Sequence, residues 1–363
     1  MKPNDLSINE SSEKLRIGYL AMSKRIESGS YRIWVHDYNQ YFKDIGVDSE
    51  IILISEDNAV EKIGNRDIII IGKCLHHNLS SIVGYIKSVN SSIVIGTINP
   101  PRNASPDGID FAMVGSMEEF DSLSFYKNVI LIPLIESIYH YSEIKKHKKE
   151  DILKICYHGW TPHLFSFVCG LKEALERFSK ERKIELHIIS EKSQNEFNWR
   201  HENGLPEGIS VLFKKWNINT VKENLQSCDI GICPGVYDMT DVELTVNNKV
   251  GKFSTDYVMR YKNKTNNGRA LVFMSLGVPV VSDFSPSNFH LFGDSIAGAV
   301  AHTPLGWYKA LSRFSDHNER NKTSEYAKKF LEKYYNPHVW ARRCYEQMLR
   351  IWKEKNNSLI IGA

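Results

Sequence analysis

Residues 264–283, KTNNGRALVFMSLGVPVVSD, run from a polar, cationic loop into a short buried helix, a glycine stop and an apolar strand. Asn266 or Asn267 can cap the helix, Leu271, Val272, Met274 and Leu276 bury it, Gly277 ends it, and 278–281 supply the strand. Backbone N–H groups at a helix start carry partial positive charge, and Lys262, Lys264 and Arg269 fall at this end. The segment is expected to hold a phosphate or diphosphate between Lys264, Arg269 and the loop Asn266, Asn267 and Gly268.

Outward from this stretch, strand-like and helix-like runs alternate along most of the chain, the pattern of a parallel sheet covered on both faces. The alternation reads twice. Strands are expected over 15–20, 49–54, 67–71, 92–97, 111–114 and 129–133, with helices over 31–45 and 79–88 and from Met117. A second series has strands over 152–157, 185–189, 210–214 and 229–233, then the opening segment, with helices over 164–178, 220–226 and 305–314. With 363 residues the chain exceeds the size of one ordinary core. The expected plan is two Rossmann-like α/β domains, over 1–140 and 150–335, facing a central cleft onto which both sets of strand-end loops open. A last amphipathic helix within 336–363 either packs on the second domain or crosses back to the first. The segment 236–261 has few buried-looking positions and reads as a lid beside the phosphate site.

Composition excludes several classes. At 42% apolar and 25% charged the chain is globular, and a net charge of +3 with dispersed cations argues against nucleic-acid binding. The run KKHKK at 145–149 reads as a solvated linker, its rival being a peripheral contact with the anionic inner membrane surface. No stretch approaches the roughly 20 apolar residues of a membrane span, and residues 1–13 lack the apolar core of a signal segment, so a cytoplasmic location is expected. The six cysteines show no paired metal-ligand spacing, and no metal is expected.

Other strand ends offer chemistry. At CYHGWTPH, 156–163, a strand meets Gly159, Thr161 caps and Pro162 takes the first helical position, so His158, Gly159 and Trp160 are candidates to face a phosphate or sugar. Ser28 and Gly29 form a small-residue loop after the first strand, where backbone can approach a ligand. Trp216 and Asn217 follow a strand and offer a stacking plane and an amide for a base, unless Trp216 packs in the core. Lys73, His76 and His77 follow another strand, as a base or as surface side chains, and 99–102 lies near the acceptor side. His36, Asp37 and Glu136 are weaker acid–base candidates, with Asp37 placed on the polar face of its helix. There is no dinucleotide fingerprint, Walker loop or nucleophile elbow.

Together, 154–163, CDIGICP at 228–234, the opening segment and 303–311 resemble the GT-B fold glycosyltransferases, closest to the family 4-type group that builds bacterial cell-surface polysaccharides. The likeness is strongest over 150–335 and vaguer over 15–30 and 110–119. It implies a nucleotide-sugar donor bound by the second domain and a glycan or lipid-linked glycan acceptor bound by the first. It also implies no cofactor beyond the donor, and Lys264 and Arg269 neutralising the departing diphosphate without a metal. The pattern departs at Lys264 and Val272, where that group commonly carries two glutamates, which leaves the nucleotide open, a nucleoside monophosphate carrier included. A nucleotide-sugar epimerase on the same plan is the rival enzyme, and a non-catalytic sugar-binding protein the rival outside enzymes.

Overall fold

The computed structural model describes residues 14–101, 103–140, 142–159, 170–191, 206–235 and 266–361, the last four of these as backbone only. The described residues fall into two compact units, one running to Ser137 and resuming at Tyr335, the other spanning Ile138–Tyr334.

The first unit carries the strands β1 (Arg16–Ala21), β2 (Asp48–Leu53), β3 (Ile68–Ile71), β4 (Val94–Ile98), β5 (Phe111–Val114) and β6 (Val129–Leu131). They pair in parallel in the order β2-β1-β3-β4-β5-β6. The four isoleucines of β3 are fully buried, as expected for a strand covered on both faces, each side chain contributing about 1.5–3 kcal/mol. The helices Ala59–Gly64 and Leu79–Val89 close one face. The other is covered by Tyr38–Asp44 and by the terminal helix Pro337–Ile361, whose Ala341, Cys344, Met348 and Ile351 enter the same core as Tyr19 and Phe42. Polar bonds fix that terminal helix: Leu15 N–H donates to Tyr345 Oη at 3.1 Å, and Lys355 pairs with Asp110 at 2.9 Å.

The second unit carries β7 (Leu153–His158), β8 (Ile184–Ser190), β9 (Ser210–Lys215), β10 (Ile230–Cys233), β11 (Val280–Asp283) and β12 (Ala299–Ala301). These are parallel in the order β12-β11-β10-β7-β8-β9. Leu171–Ser179 and Pro304–Arg313 pack on one face. On the other, the helix Gly268–Ser275 sits close because Gly231 has no side chain: a Cβ there would lie 2.5 Å from Phe273 Cγ. The strand order reverses between β1 and β3 in one unit and between β7 and β10 in the other, the places where open parallel sheets receive ligands.

Two sequence expectations fail. Asp37 does not lie on a polar face: residues Arg32–Asp37 wind as a π-helix, and the Asp37 carboxylate is fully buried, accepting from Ser137 N–H at 3.0 Å and Ser137 Oγ at 2.8 Å. Nor is 145–149 merely a solvated linker. Lys145 pairs with Asp229 at 2.9 Å and donates to the Cys228 carbonyl at 2.7 Å, while buried His147 bonds the Gly277 carbonyl at 2.8 Å through Nε2. These contacts strap the segment to the base of β10, and Lys146, Lys148 and Lys149 stay exposed. Among the described residues no helix is long and apolar enough to cross a membrane.

Candidate functional site

At the second switch point β7 ends in Tyr157 and His158, and β10 ends in Cys233 before Pro234. Arg269, on the first turn of Gly268–Ser275, is held between them. Its Nη1 donates to Tyr157 Oη at 3.2 Å and its Nη2 to the Pro234 carbonyl at 3.1 Å, with the guanidinium 5.4 Å from the Tyr157 ring centre. Both oxygens are neutral, because burial pushes the Tyr157 hydroxyl up to about 12. These two contacts orient the guanidinium, and neither sets a negative charge beside it.

The turn after β7 is shaped for this neighbour. Gly159 adopts φ +124°, a conformation that side chains disfavour, and a Cβ there would lie 3.1 Å from Arg269 Cδ. Its N–H continues the ladder to the Ile189 carbonyl at 3.1 Å. His158 is buried and meets Phe273 edge-on, with ring centres 5.0 Å apart, so its ring joins β7 to the helix. The helix begins at Asn267, which makes no side-chain cap, while Asn266 Oδ1 accepts from Gly268 N–H at 3.3 Å. Of the two asparagines, then, Asn266 makes the polar contact and Asn267 is simply buried.

Trp216 and Asn217 follow β9, the outer strand on this side, two strands from β7 and therefore about 10 Å away. Trp216 is half-buried. Asn217 is exposed, and its Oδ1 accepts from Asn219 N–H at 2.9 Å, at the turn that starts Val221–Gln226. Lys264, Lys262, Trp160 and the expected lid at 236–261 lie outside the described residues. Arg269, Gly159 and His158 are thus brought together, and Trp216 and Asn217 stand to one side. Tyr157 and the Pro234 carbonyl are not legible as site groups in the sequence, because a tyrosine inside an apolar strand reads as core. A hydroxyl at a strand end two residues before a glycine turn was the available signal.

In the first unit, Ser28 and the residues around it line an open cavity of about 170 Å³ at the carboxyl ends of β1 and β3. Gly29 is sterically undemanding, since a Cβ there would meet only Ile33 Cδ1 at 3.8 Å. Arg32 fixes the loop by donating to the Ile26 carbonyl at 3.0 Å while pairing with buried Glu136 at 2.7 Å. Burial raises the Glu136 carboxyl above its ordinary value against the pull of that cation. Beyond β3, His76 is not a surface side chain: its Nε2 lies 3.1 Å from Thr97 Oγ1, and burial, with Lys73 nearby, brings it down to about 4, so it is neutral near pH 7. His77 is exposed. Among the described residues no group of three or more His, Cys, Asp or Glu side chains is placed to hold a metal ion.

No family model matches the sequence, and no curated protein matches it. Solved structures do resemble it. Over 92% of this chain and 99% of the other, it is similar to HepE of Anabaena solved with UDP and glucose, at 10% identity and a TM-score of 0.60. It is also similar to sucrose-phosphate synthase of Thermosynechococcus elongatus, at 10% identity and a TM-score of 0.61 over 94% of this chain and 100% of that one. A variant of the O-GlcNAc transferase of Thermobaculum terrenum gives 11% identity and a TM-score of 0.59 over 99% and 70%. At such identities the likeness speaks for architecture alone. With two parallel six-stranded sheets, each flanked by helices, this chain has the α/β architecture of the GT-B fold.

Proposed function

We propose that the protein is a glycosyltransferase that moves a sugar from a nucleotide-activated donor to a glycan or lipid-linked glycan acceptor, in the assembly of a cell-surface polysaccharide. The observation that carries this reading is Arg269, fixed by two neutral oxygens at the switch point of the second sheet. Negative charge grows on the leaving diphosphate as the glycosidic bond breaks. A cation already in place stabilises that charge without reorganising, and one such donor is worth about 2.7–4 kcal/mol of barrier. Two structures of similar fold, both of HepE, were solved with UDP or UDP-glucose, which supports a nucleotide-sugar as the ligand.

In this proposal Arg269 and Lys264 neutralise the diphosphate, and Gly159 and the start of the helix at Asn266, Asn267 and Gly268 bring backbone to it. His158 positions the helix. Trp160, Trp216 and Asn217 serve the nucleoside, while Ser28 and Gly29 serve the sugar side in the first unit. Side chains do the work of charge neutralisation, so the proposed reaction needs no metal and no cofactor beyond the donor. A membrane-linked acceptor would suit the exposed Lys146, Lys148 and Lys149, each worth about 1 kcal/mol near an anionic surface.

The test is product analysis with a panel of nucleotide-sugars, with and without glycan acceptors. The proposal expects acceptor-dependent release of nucleotide and a new glycosidic bond. Conversion of the nucleotide-sugar to its epimer, with the nucleotide still attached and no acceptor required, would contradict it and restore the epimerase. The transferases and synthases of similar fold do not favour that alternative.

A further inference from the structure

The cavity at the first switch point has a lining of one electrostatic sign. Ser23, Ser28 and Ser30 contribute hydroxyls, Arg25 and Lys73 contribute cations, and no carboxylate lines it. Nearby basic side chains are committed elsewhere: Lys24 and Lys62 pair with Glu56, Arg32 with Glu136 and Arg66 with Asp48. Arg25 and Lys73 make no ion pair among the described residues. The acid that senses Lys73 is buried Glu119, and its oxygens are taken by Asn99 Nδ2 at 3.0 Å and Gly115 N–H at 2.9 Å. His76, next along, is kept neutral and adds no charge.

Two unpaired cations on one concave surface repel each other, and an oxyanion between them turns that repulsion into charge-assisted hydrogen bonding, with the serines as further donors. At about 170 Å³ the cavity is smaller than the roughly 300–1,000 Å³ of complete ligand pockets, so it takes one end of a larger molecule. Resting on the transferase reading, we infer that this cavity binds the anionic group, phosphate or carboxylate, of a charged acceptor sugar.

The intact protein is titrated calorimetrically with hexose phosphates, hexuronates, the parent neutral hexoses and inorganic phosphate, and separately with UDP. At least one charged sugar is expected to bind ten-fold or more tighter than its neutral parent. The double variant Arg25→Ala with Lys73→Ala should lose that factor while keeping its UDP affinity. Both side chains are exposed, so their removal should leave the melting temperature essentially unchanged. Equal binding of neutral and charged sugars, unchanged binding by the double variant, or inorganic phosphate matching the best sugar phosphate would each overturn the inference. Loss of UDP binding in the unaltered protein would instead strike at the transferase reading, leaving the sugar titration to decide the cavity.

Discussion

The two sheets place their switch points at equivalent positions and furnish them in opposite ways. In the second unit the cation is clamped before any ligand arrives, Arg269 lying against Tyr157, Pro234 and the turn at Gly159. In the first unit Arg25 and Lys73 surround open space, and only the loop beneath them is fixed, by Arg32. A clamped charge suits a transition state, where reorganisation adds to the barrier; an open one suits a ground-state ligand whose own charge completes the site. On the proposed reading, one fold plan would serve two kinds of recognition.

The largest way to break the comparison is to remove the buried anions that support each side. Glu136→Ala strands the Arg32 guanidinium in the first unit and should cost about 3–5 kcal/mol, read by urea denaturation. Replacing both partners, Arg32→Met with Glu136→Leu, should recover most of that loss, since neither charge of the pair is then left buried without the other. Asp229→Ala in the second unit strips Lys145 and the Lys154 N–H together and is expected to cost a similar amount. Recovery failing in the first pair would mean that the loop at Ile26, rather than charge burial, sets the cost.

Next in size, Arg269→Ala should lower transfer about 10²–10³-fold, with charged-sugar binding in the first unit unchanged. Kinetics and calorimetry on the same variant separate the two sites. The glycines sharpen the contrast further. Gly159→Ala combines a disfavoured φ with contact against Arg269 and should cost about 1–3 kcal/mol as well as donor affinity. Gly29→Ala has room, and should change the melting temperature little or raise it slightly, with a gain of up to about 1 kcal/mol.

The smallest effect concerns pH. His76 is held neutral in the folded protein, down to about 4, whereas unfolded histidine takes a proton at roughly 6.5. Protonation therefore favours the unfolded chain, so the contribution is complete above about pH 6.5 and is lost as pH falls through the window toward 4. Burial lowers His147 in the second unit in the same direction. His76→Gln should flatten, though not abolish, the fall in melting temperature across that window. An unchanged slope would show that His76 is solvated.

Sequence carried the sheets because four isoleucines at 68–71 or the run 230–233 have no soluble alternative to burial. It failed where burial was polar. His317–Tyr334 buries Arg320, Thr323, Ser324, Ala327 and Leu331, a proper helical stripe in which only the last two are apolar, and apolar periodicity passes over it. Arg320 is buried because it donates to the carbonyls of Phe314, Ser315 and Lys148, a tertiary arrangement no local pattern announces. Asp37 and His147 were misplaced for the same reason. β12, three residues long, is too short to show a period. At the candidate site Gly159 and Arg269 were legible from the turn and the helix start. Tyr157 was not, since its role depends on a neighbour more than a hundred positions away.

The most direct test of the account is where a nucleoside diphosphate sits when bound, seen in a crystal of the intact protein with UDP or a UDP-sugar. Diphosphate oxygens are expected about 3 Å from the Arg269 guanidinium and beside the backbone of Gly159. A diphosphate bound away from residues 264–269, with Arg269 still closed on Tyr157 and Pro234 and touching no ligand, would contradict it.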